Sequence, residues 1–467
     1  MEPFSAVVTT GIYCRPGCGG RPHPEHVREF GLAAAAEAAG YRACLRCRPY
    51  RSAQAVSWSG PELVCRAVQL IIDGALDGGT EAHLGARLGV SSRHLRRLFT
   101  AHLGVSPDEL ARSRRSHFAR RLLDDTDLSI TDIAFASGFG SVRQLNRACQ
   151  DVFRASPREL RARRRASDRL VADGGLALRL PFRGSLDWDA MVAYLAARAI
   201  RGVEHVSGTT YRRMIVIDGD PGVLELSLGA SDHLVVRAHL PHWEDLIHVV
   251  DRARRIASLD TDMDEPTMHL AGEPVVGPFV SARPGLRVPG TWDPFETGVR
   301  AIVGQQVTVN GANTIMARLV QRLGTPVPGL AQLGLTHSFP SAGTVAAADL
   351  TGLGLVPSRA EAIRSFARGV VDDTVRLDRS IGLDQLVASI TAIAGLGPWT
   401  AHYIALRLGE PDAFPAADLG LRRALAPRLP DSTITVEELA ERWRPWRALA
   451  ATHLWTAAAG APVALVG

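Results

Sequence analysis

The sequence contains no lysine, so all 53 of its Lys and Arg residues are arginines in a chain of 467 residues. This absence excludes a lysine Schiff base, a lysine general base and a phosphate-binding P-loop, whose motif needs a lysine. The chain also carries 48 acidic residues, which leaves a formal net charge of +5. Any reaction that this protein catalyses must therefore use groups other than a lysine amine.

Cysteine is missing from most of the chain. The last of the six cysteines is Cys149, and the whole of the sequence after it contains none. A disulfide scaffold is therefore not expected. The chain does not open with a charged segment followed by an apolar one, and stretches such as residues 32–39 are too short to span a bilayer. We expect a protein of the reducing cytoplasm with no membrane partner.

The charge is concentrated at the front of the sequence. Residues 1–170 carry 26 Arg against 17 Asp and Glu, a balance of +9, whereas residues 171–467 carry 27 against 31, a balance of −4. A basic region of this kind is typical of nucleic-acid binding, although basic surfaces also occur on proteins without such a partner. At roughly 100 to 200 residues per domain, the length predicts three or four domains.

The first third of the chain shows two patterns. Residues 1–50 are rich in Gly, Pro and Arg, and we expect irregular structure with one short helix near residues 31–39. Such a segment has too few apolar residues to form a core without a metal or disulfides. From residue 61 to about 165 the apolar residues recur at helical spacing. The charged stretch 161–173 predicts a linker.

The pattern changes again further along. Residues 175–240 contain alternating runs, at 176–180, 214–217, 223–226 and 234–237, that predict antiparallel strands, together with a helix over 187–199. After Pro284 helical spacing returns, interrupted by Gly and Pro. The predicted fold class is multidomain, mainly α with α+β. It combines a small domain without a core of its own, an all-α domain, an α+β sheet domain and a second all-α domain.

Four cysteines form two closely spaced pairs. Cys14 and Cys18 make a C-x3-C pair, Cys44 and Cys47 make a C-x2-C pair, and residues 19–43 separate the two pairs. In a segment too small for a core of its own, four thiolates so grouped predict one tetrahedral Zn2+ ion bound by all four. The alternative is two unrelated pairs of free thiols.

The surrounding sequence makes the prediction more specific. Residues 8–18 (VTTGIYCRPGC) and 40–47 (GYRACLRC) resemble the zinc domain of Ada-type methylphosphotriester sensors. The resemblance implies that Cys14 accepts a methyl group from DNA, with zinc keeping it as the thiolate nucleophile. Only 13 residues precede Cys14, fewer than this family usually has, so we expect an upstream helix or strand to be missing.

The formal charge of the zinc–thiolate site predicts a switch in DNA binding. Zn2+ with four thiolates carries −2 and, after methylation of one thiolate, −1. Repulsion of DNA phosphates therefore falls, while nearby arginines keep their charge, namely Arg15, Arg42, Arg46 and Arg48. We expect methylation to strengthen DNA binding.

Two helix-turn-helix patterns follow. Residues 81–99 predict a helix, a turn at Gly89, a cap at Ser91 or Ser92 and a second helix, and residues 129–147 repeat the plan. The repeat resembles an AraC-type DNA-binding domain, whose two recognition helices enter successive major grooves. The resemblance implies promoter DNA and RNA polymerase as partners. We assign contacts with bases or phosphates to Ser92, Arg93, Arg96, Arg97, Ser141, Arg143, Gln144 and Arg147, although any single arginine could equally be a solvated surface residue.

The segment 393–403 (IAGLGPWTAHY), followed by Asp418, carries the clearest enzymatic pattern. Gly395 and Gly397 let a backbone amide approach a phosphate with no side chain in the way. With Trp399 and Asp418, the segment resembles the helix-hairpin-helix and catalytic aspartate of base-excision DNA glycosylases. The further matches point to AlkA-type 3-methyladenine DNA glycosylases; they are residues 175–285, 295–307, 442–447 and 453–455.

This resemblance implies a role for each residue of the pocket. Trp399 and Trp455 flank a flipped base, where a cation over an indole gains about 0.5 to 2 kcal/mol, and Tyr403 lines the same pocket. Asp418 stabilises the oxocarbenium-like sugar and orients or deprotonates water. Gln306 takes the position that fills the gap left by the flipped base, often a leucine in the family. The alternatives are a helix cap for Asp418 and simple packing for Trp455.

The missing lysine distinguishes between mechanisms. Glycosylases of this superfamily that also cut the backbone use a hairpin lysine, so we expect a monofunctional enzyme in which water is the nucleophile. The absence of cysteine after Cys149 excludes the four-cysteine iron-sulfur cluster of other branches. No Pro-Cys-His-Arg motif occurs, so direct reversal of base methylation is not expected.

Together these patterns predict four domains, at residues 1–54, 60–165, 174–285 and 286–467. The predicted protein is a methylphosphotriester-sensing transcriptional activator fused to a monofunctional glycosylase that excises alkylated purines from double-stranded DNA. We place it in the bacterial cytoplasm, associated with the nucleoid. The alternative is a glycosylase whose front third only anchors it on DNA. A regulator that responds to small molecules is disfavoured, because no effector-binding domain remains unassigned.

Overall fold

The computed structural model describes residues 3–20, 22–52, 60–170, 174–428 and 434–459. The chain divides into two compact units. Unit 1 comprises Met1–Arg183, His233–Arg252 and Leu259–Thr261, and unit 2 comprises Gly184–Asp232, Ala253–Ser258 and Asp262–Gly467. Across the described ranges, no helix combines the length and the hydropathy that crossing a bilayer requires.

The start of the chain forms a small sheet beside one helix. The elements are β1 (Phe4–Val7), β2 (Ile12–Cys14), β3 (Val27–Phe30), α1 (Ala33–Ala38) and β4 (Arg42–Ala43). The strand order is β3-β1-β2-β4, with β1 antiparallel to β2 and β3, and β2 parallel to β4. The short helix is confirmed, but the expectation of irregular structure around it was wrong. These strands are too short to show an alternating pattern in the sequence.

Seven helices follow in unit 1. They are α2 (Glu62–Ile72), α3 (Glu81–Arg87), α4 (Ser92–Leu103), α5 (Pro107–Asp125), α6 (Ile130–Ala136), α7 (Val142–Phe153) and α8 (Pro157–Ala162). Hydroxyl side chains accept a backbone N–H at the start of six of them, because an N-terminal turn leaves its amides without partners. The cap of α4 is Ser91 rather than Ser92.

The segment predicted to be a linker packs against α5 instead. The Arg48 guanidinium donates to Asp168 Oδ2 at 2.6 Å, and the Leu170 amide donates to the Asp125 carbonyl at 3.0 Å. Asp168 is buried in this contact, whereas Arg163, Arg165 and Arg169 are exposed, so the segment combines a buried ion pair with solvated charges. Residues 171–173 of that segment lie outside the described residues.

The next region mixes strands and helices. It contains β5 (Leu176–Pro181), α9 (Trp188–Arg198), β6 (Glu204–Ser207), β7 (Thr210–Ile217), β8 (Asp220–Ala230), β9 (His233–His239), α10 (Leu246–Ile256), α11 (Asp264–Ala271) and α12 (Gly277–Ala282). In unit 1, β5 pairs antiparallel with β9, and in unit 2, β7 pairs antiparallel with both β6 and β8. The four predicted strands and the predicted helix are confirmed, whereas β6, α10, α11 and α12 were not predicted.

The remainder of unit 2 is helical, as predicted. Its helices are α13 (Pro294–Val303), α14 (Val309–Leu323), α15 (Ala342–Ala347), α16 (Pro357–Val371), α17 (Leu383–Thr391), α18 (Pro398–Leu408), α19 (Leu419–Leu425), α20 (Val436–Ala440) and α21 (Arg447–Ala459). Arg213 on β7 donates to Glu296 on α13 at 2.8 Å, which fixes the start of α13 against the strands of unit 2. The segment after α13 and the loop before α18 contribute to the site described next.

Candidate functional site

The four cysteines come together in unit 1. Their sulfur atoms all lie within 4.8 Å of one another, and each side chain is half-buried. The local fold explains the cluster: Cys14 ends β2, Cys44 directly follows β4, and these two strands run parallel. The Cys44 amide donates to the Tyr13 carbonyl at 3.0 Å, and tight turns return Cys18 and Cys47 toward the same point.

The cluster has the donor set of a zinc site. A tetrahedral Zn2+ with sulfur ligands at about 2.3 Å needs sulfurs about 3.8 Å apart, which this spacing accommodates. A hydrogen bond from Cys14 lowers the pKa of the Cys47 thiol to about 5, and the same contact raises the pKa of the Cys14 thiol. The sequence prediction that these four residues form one site is consistent with this geometry.

The arginines around the cluster differ from one another. Arg15 and Arg46 are exposed and Arg42 is half-buried. Arg48 is buried against Asp168 and lies 3.7 Å from Asp124, so two carboxylates neutralise its charge. Arg48 keeps its charge, but its buried pairing with these carboxylates makes it less available to DNA phosphates than the exposed Arg15 and Arg46.

A hydrogen-bonded group that the sequence did not reveal links the cysteine segment to α5. Tyr13, which precedes Cys14, donates to Glu37 Oε1 at 2.5 Å, and His117 Nε2 on α5 lies 2.6 Å from the same oxygen. These side chains are buried or nearly so, and the His117 ring contacts Phe153 at the end of α7. Their separation of up to 104 residues leaves no local signal that could have predicted the contact.

The predicted DNA-reading residues lie on α4 and α7. Arg93, Arg96, Arg97, Arg143, Gln144 and Arg147 are exposed, and Ser92 and Ser141 are half-buried. Arg96 donates to Glu81 at 3.0 Å, and Arg97 lies 3.0 Å from the His94 ring. The Ser141 hydroxyl accepts the Gln144 amide, so it caps α7. Among the described residues, no carboxylate pairs with Arg93, Arg143 or Arg147, which lie exposed on these two helices.

Asp418 is the centre of a pocket in unit 2. Its carboxylate accepts three hydrogen bonds: from Trp399 Nε1 to Oδ2 at 2.9 Å, from Trp455 Nε1 to Oδ1 at 2.8 Å and from the Leu421 amide to Oδ1 at 3.0 Å. Asp418 is therefore both the N-cap of α19 and the common acceptor of two indoles. The residue is half-buried, so it keeps some contact with solvent.

The three aromatic residues predicted for the base pocket meet beside this carboxylate. Trp399 and Tyr403, one turn apart on α18, stack with ring centroids 5.5 Å apart and planes 15° apart. Tyr403 meets Trp455 edge-on at 6.0 Å. All three are half-buried. By contrast, Trp292, Trp443 and Trp446 are buried core residues.

The predicted phosphate-binding hairpin joins α17 to α18. Gly395 has a φ of +87°, which favours glycine, and a Cβ built on Gly397 would meet no heavy atom within 4 Å, so the loop is open to a ligand. Gly397 caps α18 without a side-chain hydrogen bond, which leaves backbone amides free to bind an anion.

Gln306 is exposed, with a φ of +58° that is uncommon for a side-chain-bearing residue. Its neighbour Gln305 was not predicted. Gln305 Nε2 donates to Thr400 Oγ1 at 2.7 Å and to the Gly395 carbonyl at 3.3 Å. Gln305 therefore ties the segment of Gln306 to the glycine hairpin, and nothing in the local sequence indicated this.

Comparison with known protein families matches four regions of the chain. Residues 3–50 match the metal binding domain of Ada, and residues 84–163 match a helix-turn-helix domain. Residues 177–293 match the AlkA N-terminal domain, and residues 299–447 match the HhH-GPD superfamily of base excision DNA repair proteins.

Comparison with individual proteins agrees with these family matches and covers longer stretches of the chain. The chain is 39% identical over 457 residues, 97% of its length and 92% of the relative's, to the "Probable bifunctional transcriptional activator/DNA repair enzyme AlkA" of Mycobacterium tuberculosis. It is 32% identical to DNA-3-methyladenine glycosylase 2 of Escherichia coli over 274 residues, 58% of this chain and 93% of that one. The 3-methyladenine DNA-glycosylase structure from Archaeoglobus fulgidus shares the fold over 60% of this chain and 98% of its own, with a TM-score of 0.53 at 22% identity. The chain therefore belongs to the family of bifunctional transcriptional activator/DNA repair enzymes of the AlkA type.

Proposed function

We propose that unit 2 is a monofunctional DNA glycosylase that excises alkylated purines such as 3-methyladenine and 7-methylguanine. The observation that carries this proposal is a carboxylate, Asp418, held by three N–H groups beside three aromatic rings. Alkylation at N3 or N7 makes a purine cationic, and a cation is bound by aromatic faces. The damaged nucleotide would be flipped out of the duplex to reach this pocket.

The hydrogen bonds to Asp418 explain its role in bond breaking. Neutral N–H donors orient the carboxylate oxygens without cancelling the negative charge. As the glycosidic bond breaks, positive charge moves from the base to the sugar, where the carboxylate stabilises it. Water then adds to the sugar carbon, and Asp418 orients this water or takes its proton. With no lysine in the chain, no side-chain amine competes with water.

Two segments next to Asp418 would supply the contacts with DNA. The open loop at Gly395 and Gly397 would bind a backbone phosphate through amides, since the residues after 170 carry a net charge of −4 and give no general attraction. Gln306 would fill the space that the flipped nucleotide leaves in the duplex.

The test is base release from alkylated duplex DNA. We expect Asp418→Asn to lower the release of 3-methyladenine and 7-methylguanine by at least about 100-fold, the usual loss when a preorganised charge is removed. Asp373→Asn is the matched control, because Asp373 is exposed and its φ of +56° suits asparagine. Undiminished release by Asp418→Asn would overturn the assignment. Borohydride added during turnover should trap no adduct beyond one at the N-terminal amine.

For unit 1, we propose that Cys14, Cys18, Cys44 and Cys47 hold one zinc ion and that Cys14 takes a methyl group from a DNA phosphotriester. The Cys14 sulfur attacks the methyl carbon, the carbon–oxygen bond breaks, and the phosphodiester leaves as an anion. Zinc, when bound, would keep the thiols deprotonated. The product is a thioether, so one negative charge is lost from the site and DNA binding strengthens.

The methylated unit 1 would then bind promoter DNA through α4 and α7 and activate transcription with RNA polymerase. The alternative is a front third that only anchors the glycosylase. Cys14→Ser separates the two: loss of methyl transfer and of induced transcription, with base excision retained, supports the sensor. Cys65→Ser, outside the cluster, is the matched control. Induction that survives Cys14→Ser would support the anchor.

A further inference from the structure

Two tyrosines and two arginines form a cluster behind the aromatic pocket. Tyr194 and Arg198 lie on α9, while Tyr403 and Arg407 lie one turn apart on α18. The hydroxyl oxygens of Tyr194 and Tyr403 are 3.2 Å apart. Arg407 donates from Nη1 to the Tyr194 hydroxyl and from Nη2 to the Gly290 carbonyl, the latter at 2.6 Å.

The cluster has an excess of positive charge. The guanidinium carbons of Arg198 and Arg407 lie 4.0 Å and 5.0 Å from the centroid of the Tyr194 ring. Within the part of the chain that the structure describes, neither guanidinium pairs with a carboxylate. Two cations thus face two phenols, and nearby positive charge favours the ionised form of an acid.

The direction of the hydrogen bonds identifies which phenol is affected. A guanidinium can only donate, so the Tyr194 oxygen accepts from Arg407, and the Tyr194 proton is available to the Tyr403 oxygen. Burial raises the pKa of both phenols, but the charges of Arg407 and Arg198 lower the pKa of Tyr403 to about 8, whereas the pKa of Tyr194 is raised to about 12. Tyr403 is therefore the phenol that gains negative charge.

We propose that Tyr194, Arg198 and Arg407 are positioning residues that make Tyr403 an electron-rich wall of the pocket, which selects cationic bases over neutral bases of the same shape. This inference rests on the proposed glycosylase function. Tyr403 stacks on Trp399 and meets Trp455, the rings that would receive the base. A cationic purine is attracted by that wall, and a neutral one is not.

Negative charge on Tyr403 should affect substrate binding more than the breaking of the glycosidic bond. Positive charge leaves the base as the glycosidic bond breaks, so negative charge on Tyr403 stabilises the bound substrate more than the transition state. Tyr194→Phe should therefore raise KM for 7-methylguanine release and leave kcat unchanged or slightly higher.

The direct test compares two purines of one shape in duplex DNA. The first is 7-methyladenine on a 2′-fluoro sugar, which slows cleavage and keeps the cation, and the second is neutral 7-deaza-7-methyladenine on the same sugar. Kd is measured at about pH 6 and about pH 9, on either side of the pKa of Tyr403. We expect the wild-type preference for the cation to be larger at the higher pH. Tyr194→Phe should reduce that preference by about 5- to 10-fold at the higher pH and little at the lower one.

Two further variants complete the test. Tyr403→Phe should remove the pH dependence, and adding Tyr194→Phe to it should then change nothing more, because both act through one hydroxyl. Tyr41→Phe removes a hydroxyl in unit 1 and serves as the matched control. An unchanged preference in Tyr194→Phe, a purely additive double variant or a loss confined to kcat would each overturn the proposal. If the wild type binds neither modified duplex better than an unmodified one, the proposed glycosylase function fails instead.

Discussion

The four-cysteine cluster and the Asp418 pocket both concentrate negative charge where the protein must meet a polyanion. In the cluster, four sulfurs crowd within 4.8 Å, and only a cation can hold four thiolates so close. In the pocket, one carboxylate is held by three neutral N–H groups, which orient the charge and leave it intact. The difference matches the two proposed reactions: a cysteine nucleophile would gain from a metal that deprotonates it, whereas a carboxylate that stabilises a cationic sugar would need to keep its charge.

Removal of the metal should produce the largest difference between the cysteine cluster and the Asp418 site. Structural zinc contributes roughly 10 to 16 kcal/mol to the folding of small zinc domains, and the strands next to Cys14 and Cys44 are only three and two residues long. We expect a chelator to abolish amide-exchange protection in this sheet while base release continues. Equal loss of base release, or unchanged protection, would contradict the comparison.

The next largest effect should come from the buried ion pairs of unit 1. Asp168→Asn leaves the buried Arg48 without its 2.6 Å partner, which should cost about 3 to 5 kcal/mol in the free energy of unfolding. Asp127→Asn is the control, because Asp127 is half-exposed and its pairs with Arg164 and Arg169 should contribute less than about 1 kcal/mol. Denaturant unfolding followed in unit 1 measures both, and equal effects would contradict the expectation.

The Asp168 effect should depend on pH. Burial raises the pKa of Asp168, but hydrogen bonds from Arg48 and the Arg165 amide lower it below its ordinary value on balance. A lowered pKa means that the stabilisation is complete above the unfolded value of about 3.9 and is lost as the pH falls through the folded value. The stability difference between wild type and Asp168→Asn should therefore be present at neutral pH and shrink in acid. A difference that grows in acid would contradict this sign.

A smaller effect should follow from removing one N–H donor of the pocket. Trp399→Phe keeps an aromatic ring but removes a hydrogen bond to a charged acceptor, which is worth about 1.5 to 3 kcal/mol, so base release should fall by about 10- to 100-fold. Trp443→Phe is the matched control, because Trp443 is buried and its Nε1 has no hydrogen-bond partner among the described residues. Similar losses in both variants would show that the ring, and not the donor, matters.

The smallest effect should come from single arginines on the recognition helices. Arg143→Gln on α7 should reduce the slope of log affinity against log salt by about one, with a modest loss of DNA affinity. Arg158→Gln, exposed on α8 outside both recognition helices, should leave the slope unchanged. Fluorescence anisotropy over a range of salt concentrations measures the slope. Equal slopes for the wild type, Arg143→Gln and Arg158→Gln would show that Arg143 does not contact DNA phosphates.

How much of this could be predicted from the sequence depended on the distance between the contacting residues. The cysteine pairs and the helix caps are local, so spacing and residue type indicated them, whereas Trp399 and Asp418 were assigned through the resemblance to DNA glycosylases. The burial of Arg48 could not be predicted, because its partner Asp168 lies 120 residues away. No periodicity links Tyr194 to Arg407, which are 213 residues apart.

The small sheet at the start of the chain shows a second limit. Its strands β2 (Ile12–Cys14) and β4 (Arg42–Ala43) are very short, and their parallel pairing depends on the cysteine turns rather than on alternating hydrophobicity. Local propensity therefore predicted irregular structure where long-range pairing produces a sheet. The longer strands β7 and β8 alternate over enough residues to be recognised.

Gln305 has a geometric consequence for how damage is located along a strand. Its amide joins the segment that would enter the duplex to the loop that would hold a phosphate, by bonds to Thr400 and to the Gly395 carbonyl. The two contact points are thus kept at a constant separation. In the proposed complex with DNA, a constant separation would fix a register: the nucleotide presented to Asp418 would stand the same number of sugar-phosphate steps from the anchored phosphate, whatever the sequence around it.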